Sequence, residues 1–246
     1  MVERDGRAPV DRFANRRPPR ERDLVLVERR ATENLGERVG HETLDGNHGV
    51  EMVAHVKLMT VERIVLASAS PRRAQLLREA GIAFDAVPAD VDESVNPGEG
   101  PETYVRRVAE MKARAVAVQV NGRSVLAADT TVVIDGVILG KPTDRLDARR
   151  MLHLLSGRAH DVVTAVAVAT ADGMTSAVEC TRVTFRALSS DEIDRYVDSG
   201  EPDDKAGAYG IQGQASGFVS GISGTVSNVV GLPMDLVRSM LRRGGP

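Results

Sequence analysis

Five short stretches of this chain of 246 residues carry charged or hydrogen-bonding side chains in suggestive order. In Ser68-Ala69-Ser70-Pro71-Arg72-Arg73 a small-residue turn leads into a helix. The open N–H groups of a helix start bind anions, and two serine hydroxyls add donors. Arg72 and Arg73 offer bidentate contacts to phosphate oxygens. Arginine in a first helical turn opposes the helix dipole, a cost that a bound anion would offset. A plain surface turn with solvated arginines is the competing reading.

In Ala127-Ala128-Asp129-Thr130-Thr131-Val132 an aspartate follows an apolar strand. An acid at a strand end either points into a cleft, where it can hold a metal or activate water, or caps a turn. Gly140-Lys141-Pro142 holds a lysine in a tight turn, its ammonium either reaching a phosphate or solvated. Lys112 stands at the edge of an apolar helical stripe and either snorkels to solvent or enters a cleft. The fifth stretch, residues 203–213, contains Lys205, Tyr209 and Gln212 in a segment too long for a mere connection. The Gln212 amide both donates and accepts, which suits a base edge.

Alternating strands and helices must position these groups. Residues 64–67 read as a buried strand and 71 to about 80 as a helix, started by Pro71 and stopped by Gly81. A short strand at 84–87 and an acidic loop at 90–100 follow. Residues 101 to about 120 form an amphipathic helix with Tyr104, Val105, Val108, Met111, Ala115 and Val118 on one stripe. Strands are expected at 124–128 and 131–134, then an Asp135-Gly136 hairpin into 137–139. Thr143 or Asp144 caps the next helix, which Gly157 ends. Two long strands at about 161–170 and 176–187 precede a helix with a Ser189/Glu192 capping box. Residues 201–232 read as Gly-rich with short strands, and Pro233 opens a last helix to about Arg242. Helices alternating with both crossovers and hairpins argue for α/β with a mixed sheet.

Composition narrows the function. Lys plus Arg is 32 and Asp plus Glu is 35, so bulk charge does not point to nucleic acid. No run of about 18 apolar residues exists to span a membrane. A single cysteine, Cys180, excludes an intrachain disulfide framework and a cysteine-rich zinc site, and reads as a small core residue. His153 and His160 share no metal-ligand spacing and read as surface or capping residues. No P-loop, G-x-S-x-G or dinucleotide-binding glycine motif is present.

Residues 1–60 differ from the rest. They hold 11 basic and 11 acidic side chains, three of the five histidines, and one aromatic residue, Phe13. Such a segment lacks the apolar mass to offset chain entropy and is expected to be a disordered, charged extension preceding a catalytic domain at 61–246. No 7–15 residue apolar core follows its arginines, so it is not a secretory signal, and its acids argue against a transit peptide. Met59, five residues before the first strand, is a plausible initiator, which would make residues 1–58 upstream sequence. A cytoplasmic setting is expected.

Four stretches together resemble the Maf family of nucleoside triphosphate pyrophosphatases: LASASPRRAQLL (66–77), AADTTVVIDGVILGKP (127–142), DKAGAYGIQG (204–213) and NVVGLP (228–233). The resemblance spans roughly residues 62–242. It implies a two-lobed α/β fold, an elongated mixed sheet flanked by helices around a central cleft, often as a homodimer. It implies hydrolysis between the α and β phosphates of a nucleoside triphosphate, with Mg²⁺ or Mn²⁺ as cofactor. By motif, Asp129 is the proton acceptor. Glu93 (in the D-V-D-E at 90–93), Lys112 and Lys141 complete the catalytic set, with Glu93 and Asp129 toward the metal. Ser68, Ser70, Arg72, Arg73, Thr130, Lys205 and Gln212 form the expected substrate-binding set. The S-P-R-R, A-D-T and I-Q forms resemble the dTTP/UTP branch, with Arg73, Thr130 and Gln212 as specificity positions. Met234 follows Gly-Leu-Pro where leucine is usual, a swap that conserves volume.

Elementary electrostatics agrees with that implication. A triphosphate carries about four negative charges, which Arg72, Arg73, Lys112, Lys141 and a cation would offset. Two other readings share the fold: a nucleotide-binding regulator of septum formation without catalysis, and a house-cleaning enzyme for modified nucleotides.

Overall fold

The computed structural model describes residues 63–243. The charged extension at 1–60 and the start at Met59 fall outside the described residues. Chain order is β1 (Ile64–Leu66), α1 (Pro71–Glu79), β2 (Phe84–Ala86), α2 (Pro101–Ala117), β3 (Val125–Ile134), β4 (Val137–Leu139), α3 (Arg145–Leu155), β5 (Ala159–Thr170), β6 (Gly173–Phe185), α4 (Ser190–Asp198), β7 (Val219–Ser223), α5 (Val226–Val230) and α6 (Met234–Arg243). Two 3-10 turns, Ala206–Ala208 and Gln214–Phe218, lie between α4 and β7. Among the described residues no helix is long and apolar enough to cross a membrane.

The strands form one mixed sheet in the order β2-β1-β3-β5-β6-β7, with β4 also on β3. β1 runs parallel to β2 and β3, because α1 and α2 serve as crossovers. The remaining pairs are antiparallel. The β3–β4 turn is the expected Asp135-Gly136, with φ of 50° and 77°. Local caps also act as expected. Asp144 accepts from the Asp147 N–H, and Ser189 and Glu192 cap each other reciprocally, while Ser70, read as part of a turn, proves to cap α1 by accepting from the Arg73 N–H.

Several expectations need correction. The segments 124–128 and 131–134 are one strand, β3, paired with β5 from Val125 to Val133. No Gly or Pro interrupts it, and Thr130 and Thr131 are β-branched, so Asp129 lies within a strand and not at its end. Residues 201–232 contain only β7 as a strand, and are otherwise turns and α5. The 101–120 helix ends at Ala117, followed by Asn121 and Gly122 at positive φ. Cys180 is exposed, because β7 covers only the 182–185 half of β6. His160, read as a surface group, is buried.

The apolar residues divide into three clusters. On one sheet face, Val105, Val108 and Ala113 of α2 pack on Val125, Ala127 and Ala165. On the other face, α1 and α6 cover Leu126, Ala128 and Val166. Further along the same strands, α3 and α4 cover Val132, Ile134 and Val162. Burying a Leu or Val side chain contributes about 2 kcal/mol, so each cluster is worth many such increments against chain entropy. Thr130 and Thr164 fall between the second and third clusters, at the break in the apolar cover.

Candidate active site

Successive side chains of β3 leave opposite faces of the sheet, so Asp129 turns toward α2 and Thr130 toward α1. Lys112 lies one helical turn beyond Val108 on α2 and meets Asp129 in the interior. Its Nζ stands 2.8 Å from Asp129 Oδ1 and 2.8 Å from Glu93 Oε1. The side chains of Lys112 and Asp129 are 8% and 6% exposed, so Lys112 enters the cleft and does not snorkel. Buried charges at that depth persist only when paired. Asp129 Oδ2 has no hydrogen-bond partner among the described residues although it is buried.

The acidic loop that brings in Glu93 is pinned to α2. The Tyr104 hydroxyl donates to Glu93 O at 3.0 Å. Arg107 grips both Glu99 oxygens at 2.7 Å and donates to Ser94 O at 2.8 Å. Burial pushes the Glu93 carboxyl upward, but the Lys112 hydrogen bond and charge, with Lys141 and Arg73 adding to them, hold it below its ordinary value. Burial, together with the charges of Asp129 and Glu93, pushes the Tyr104 phenol up to about 12, so it stays a neutral donor. Lys141 itself is exposed.

At the start of α1, Ser68 Oγ accepts from the Ser70 N–H at 3.1 Å. Arg72 reaches across to Asp204, 3.3 Å away. Asp204 also takes a 2.7 Å contact from Lys205, whose ammonium donates to Glu201 O at 2.5 Å. Arg73 turns inward. Its Nε donates to Gly231 O at 2.8 Å, Nη1 to Ser68 Oγ at 3.3 Å and Nη2 to Thr130 Oγ1 at 3.1 Å. Burial lowers the Arg73 pKa from its ordinary value, while Asp129 and Glu93 act in the opposite sense.

The 203–213 segment is held from below. Glu201 accepts from the Tyr196 hydroxyl at 3.2 Å and from the Gln214 N–H at 3.1 Å. The Tyr209 hydroxyl shares a 2.8 Å hydrogen bond with His160 Nε2, and burial drops the His160 pKa to about 4. Gly207, at φ +69°, lies so close to β3 that a Cβ would stand 2.7 Å from Val132. Gln212 is exposed.

These groups surround one cavity of about 1110 Å³. Every residue of the expected catalytic and substrate-binding sets lines it. Sequence reading missed Tyr104 and Glu201, which line it too, while Asp204 and Tyr209 line it from the 203–213 stretch that it singled out. Tyr104 counted only as a stripe residue, since periodicity does not reveal a hydroxyl's direction. Glu201 sits in a charged run that reads as solvated. Asp129 and Glu93, with one carboxylate oxygen unpartnered, fit a divalent cation that completes its shell from phosphate oxygens and water. Among the described residues no group of three or more His, Cys, Asp or Glu forms a self-sufficient metal cage.

The family profile and the curated relatives agree with the residue pattern. The profile of the family described as Maf-like protein matches residues 63–244. A dTTP/UTP pyrophosphatase of Anaeromyxobacter dehalogenans (strain 2CP-C) is 56% identical over 187 residues, 74% of this chain and 94% of that protein. One from Myxococcus xanthus (strain DK1622) is 53% identical, over 74% of this chain and 92% of that protein. Among solved structures, the Staphylococcus aureus Ham1 protein aligns at 16% identity with a TM-score of 0.45, over 74% of this chain and 100% of that one.

Proposed function

Since the chain belongs to the Maf-like protein family, we propose that it is a nucleoside triphosphate pyrophosphatase that cleaves dTTP and UTP to the monophosphate and pyrophosphate. The observation that carries this reading is the Lys112-centred pair of carboxylates in the cavity, with Asp129 Oδ2 left without a partner. In the proposed reaction a water oxygen bonds to phosphorus, the α–β phosphoanhydride bond breaks, and pyrophosphate leaves. Asp129 accepts the water proton, while Lys112 fixes its carboxylate through Oδ1. Glu93 stays anionic beside it, as its lowered pKa requires.

Mg²⁺ or Mn²⁺ held by Asp129 and Glu93 would supply charge neutralisation on the phosphate oxygens. Arg72, Lys141 and the Ser68–Ser70 turn hold the phosphate chain, and Lys205 steadies the segment that carries Gln212. Arg73, Thr130 and Gln212 form the proposed base-side set. No covalent enzyme intermediate is required. The hydrolysis of modified pyrimidine triphosphates belongs to the same proposal.

The test is a panel of nucleoside triphosphates with the full chain and Mg²⁺, measuring pyrophosphate release. Release from dTTP and UTP that stops with EDTA supports the reading. Purine preference would overturn the base assignment, and binding without release from any nucleotide would favour a regulator.

A further inference from the structure

Thr130 holds a hydroxyl whose direction is decided by its neighbours. A guanidinium only donates, so Thr130 Oγ1 accepts from Arg73 at 3.1 Å. On the far side, Thr164 Oγ1 lies 2.9 Å from Thr130 Oγ1 and 3.2 Å from Asn228 O. The bond between the two hydroxyls can run either way; with the Thr164 proton on Asn228 O, which also receives the Gly231 N–H at 2.9 Å, Thr164 accepts from Thr130. The polarity is thus Arg73 to Thr130 to Thr164 to Asn228. The other acceptor near Thr130, Gly231 O, is 3.5 Å away and already receives Arg73 Nε at 2.8 Å. In this arrangement the single Thr130 proton is held by Thr164, the nearer acceptor. What Thr130 offers the cavity is a lone pair.

We infer that Thr164, buried on β5 and opposite Thr130 in the β3–β5 register, is a specificity-determining positioning residue that makes Thr130 an acceptor and so selects bases presenting an imide N–H. The inference rests on the proposed base-side role of Thr130. Uracil and thymine carry N3–H between two carbonyls. In cytosine N3 is an acceptor and the neighbouring C4 group a donor, so the pattern is reversed. The Gln212 amide can turn over and match either edge. Thr130 cannot, because its proton is held from behind. A pyrimidine whose N3 is a lone pair therefore meets a lone pair, and an unmatched polar pair in a shielded site is strongly disfavoured.

The experiment compares kcat/KM for UTP and CTP in the full chain for wild type, Thr164→Val, Thr164→Ser and Thr130→Val. Thr164→Val keeps the shape but removes the acceptor, which frees the Thr130 proton to turn toward the cavity. The expected result is a UTP/CTP ratio that falls about tenfold or more in Thr164→Val, with CTP hydrolysis gaining in absolute terms, and a ratio kept in Thr164→Ser. Equal losses on both nucleotides in Thr164→Val, or an unchanged ratio while Thr130→Val alters it, would overturn the role of Thr164 and leave the base-side reading of Thr130 standing. An unchanged ratio in Thr130→Val as well would overturn both.

Discussion

The two ends of the cavity are made of different materials. At one end Lys112, Glu93 and Asp129 form a chain of full charges joined at 2.8 Å, with Lys112 and Asp129 buried and Glu93 open to water. At the other, Thr130, Thr164 and Asn228 form a chain of neutral hydrogen bonds that starts from a single guanidinium. Charges interact in every direction, so the first end can redistribute its contacts when phosphate and a cation arrive. Neutral hydroxyl chains have a direction, and reversing the second end takes the Thr164 proton off Asn228 O and leaves Thr130 only the longer contact to Gly231 O. Reaction chemistry suits the first construction and discrimination between similar bases suits the second.

Substitutions can break this contrast. The largest effect is expected for Asp129→Asn, which keeps size and removes the proposed proton acceptor. Turnover should fall by about 10³-fold with little change in melting temperature. Near-normal pyrophosphate release by that variant would remove Asp129 from its role. Lys112→Met comes next, because it strands a buried carboxylate. Stability should drop by about 4 kcal/mol in urea unfolding, along with activity. A stable, inactive Lys112→Met would mean that the lysine serves catalysis without supporting the fold.

A third test concerns the packing beneath the 203–213 segment. His160 is 2% exposed and its pKa is lowered to about 4 from 6.5. The unfolded chain therefore takes up this proton below about 6.5 and the folded chain only near about 4. Its contribution is complete above pH 6.5 and is lost as pH falls toward 4, by roughly 3 kcal/mol. His160→Gln should flatten this slope in unfolding curves taken across that window. A wild-type slope retained in the variant would place the acid sensitivity elsewhere. The smallest effect belongs to Asp204→Asn at the exposed Arg72 contact. Stability should stay within about 0.5 kcal/mol and KM should fall by about twofold as Arg72 is released to phosphate. A rise in KM would show that Asp204 assists binding.

Much of the frame was legible because its causes are local. Asp144 and Ser189 cap helices through neighbours three residues away, and Asp135-Gly136 turns the chain by its own φ preferences. The charged centre was legible only in part. Lys112 left two directions open, since spacing along α2 places it at the stripe's edge without naming what faces it. Asp129 read as a strand end because polar residues after an apolar run resemble a boundary, while its pairing with Ala165 depends on a strand some thirty-five residues away. His160 looked isolated, and its burial comes from Phe185 and Tyr209, which ring contacts bring together from distant segments. Thr164 was invisible for the same reason: only the β3–β5 register puts it behind Thr130.

The decisive measurement is the identity of the products when the full chain, with Mg²⁺, is given UTP and followed by ³¹P NMR. A cavity that opens the α–β bond yields UMP and pyrophosphate in equal amounts from the first turnover. UDP and inorganic phosphate, or UTP left intact while bound, would contradict it.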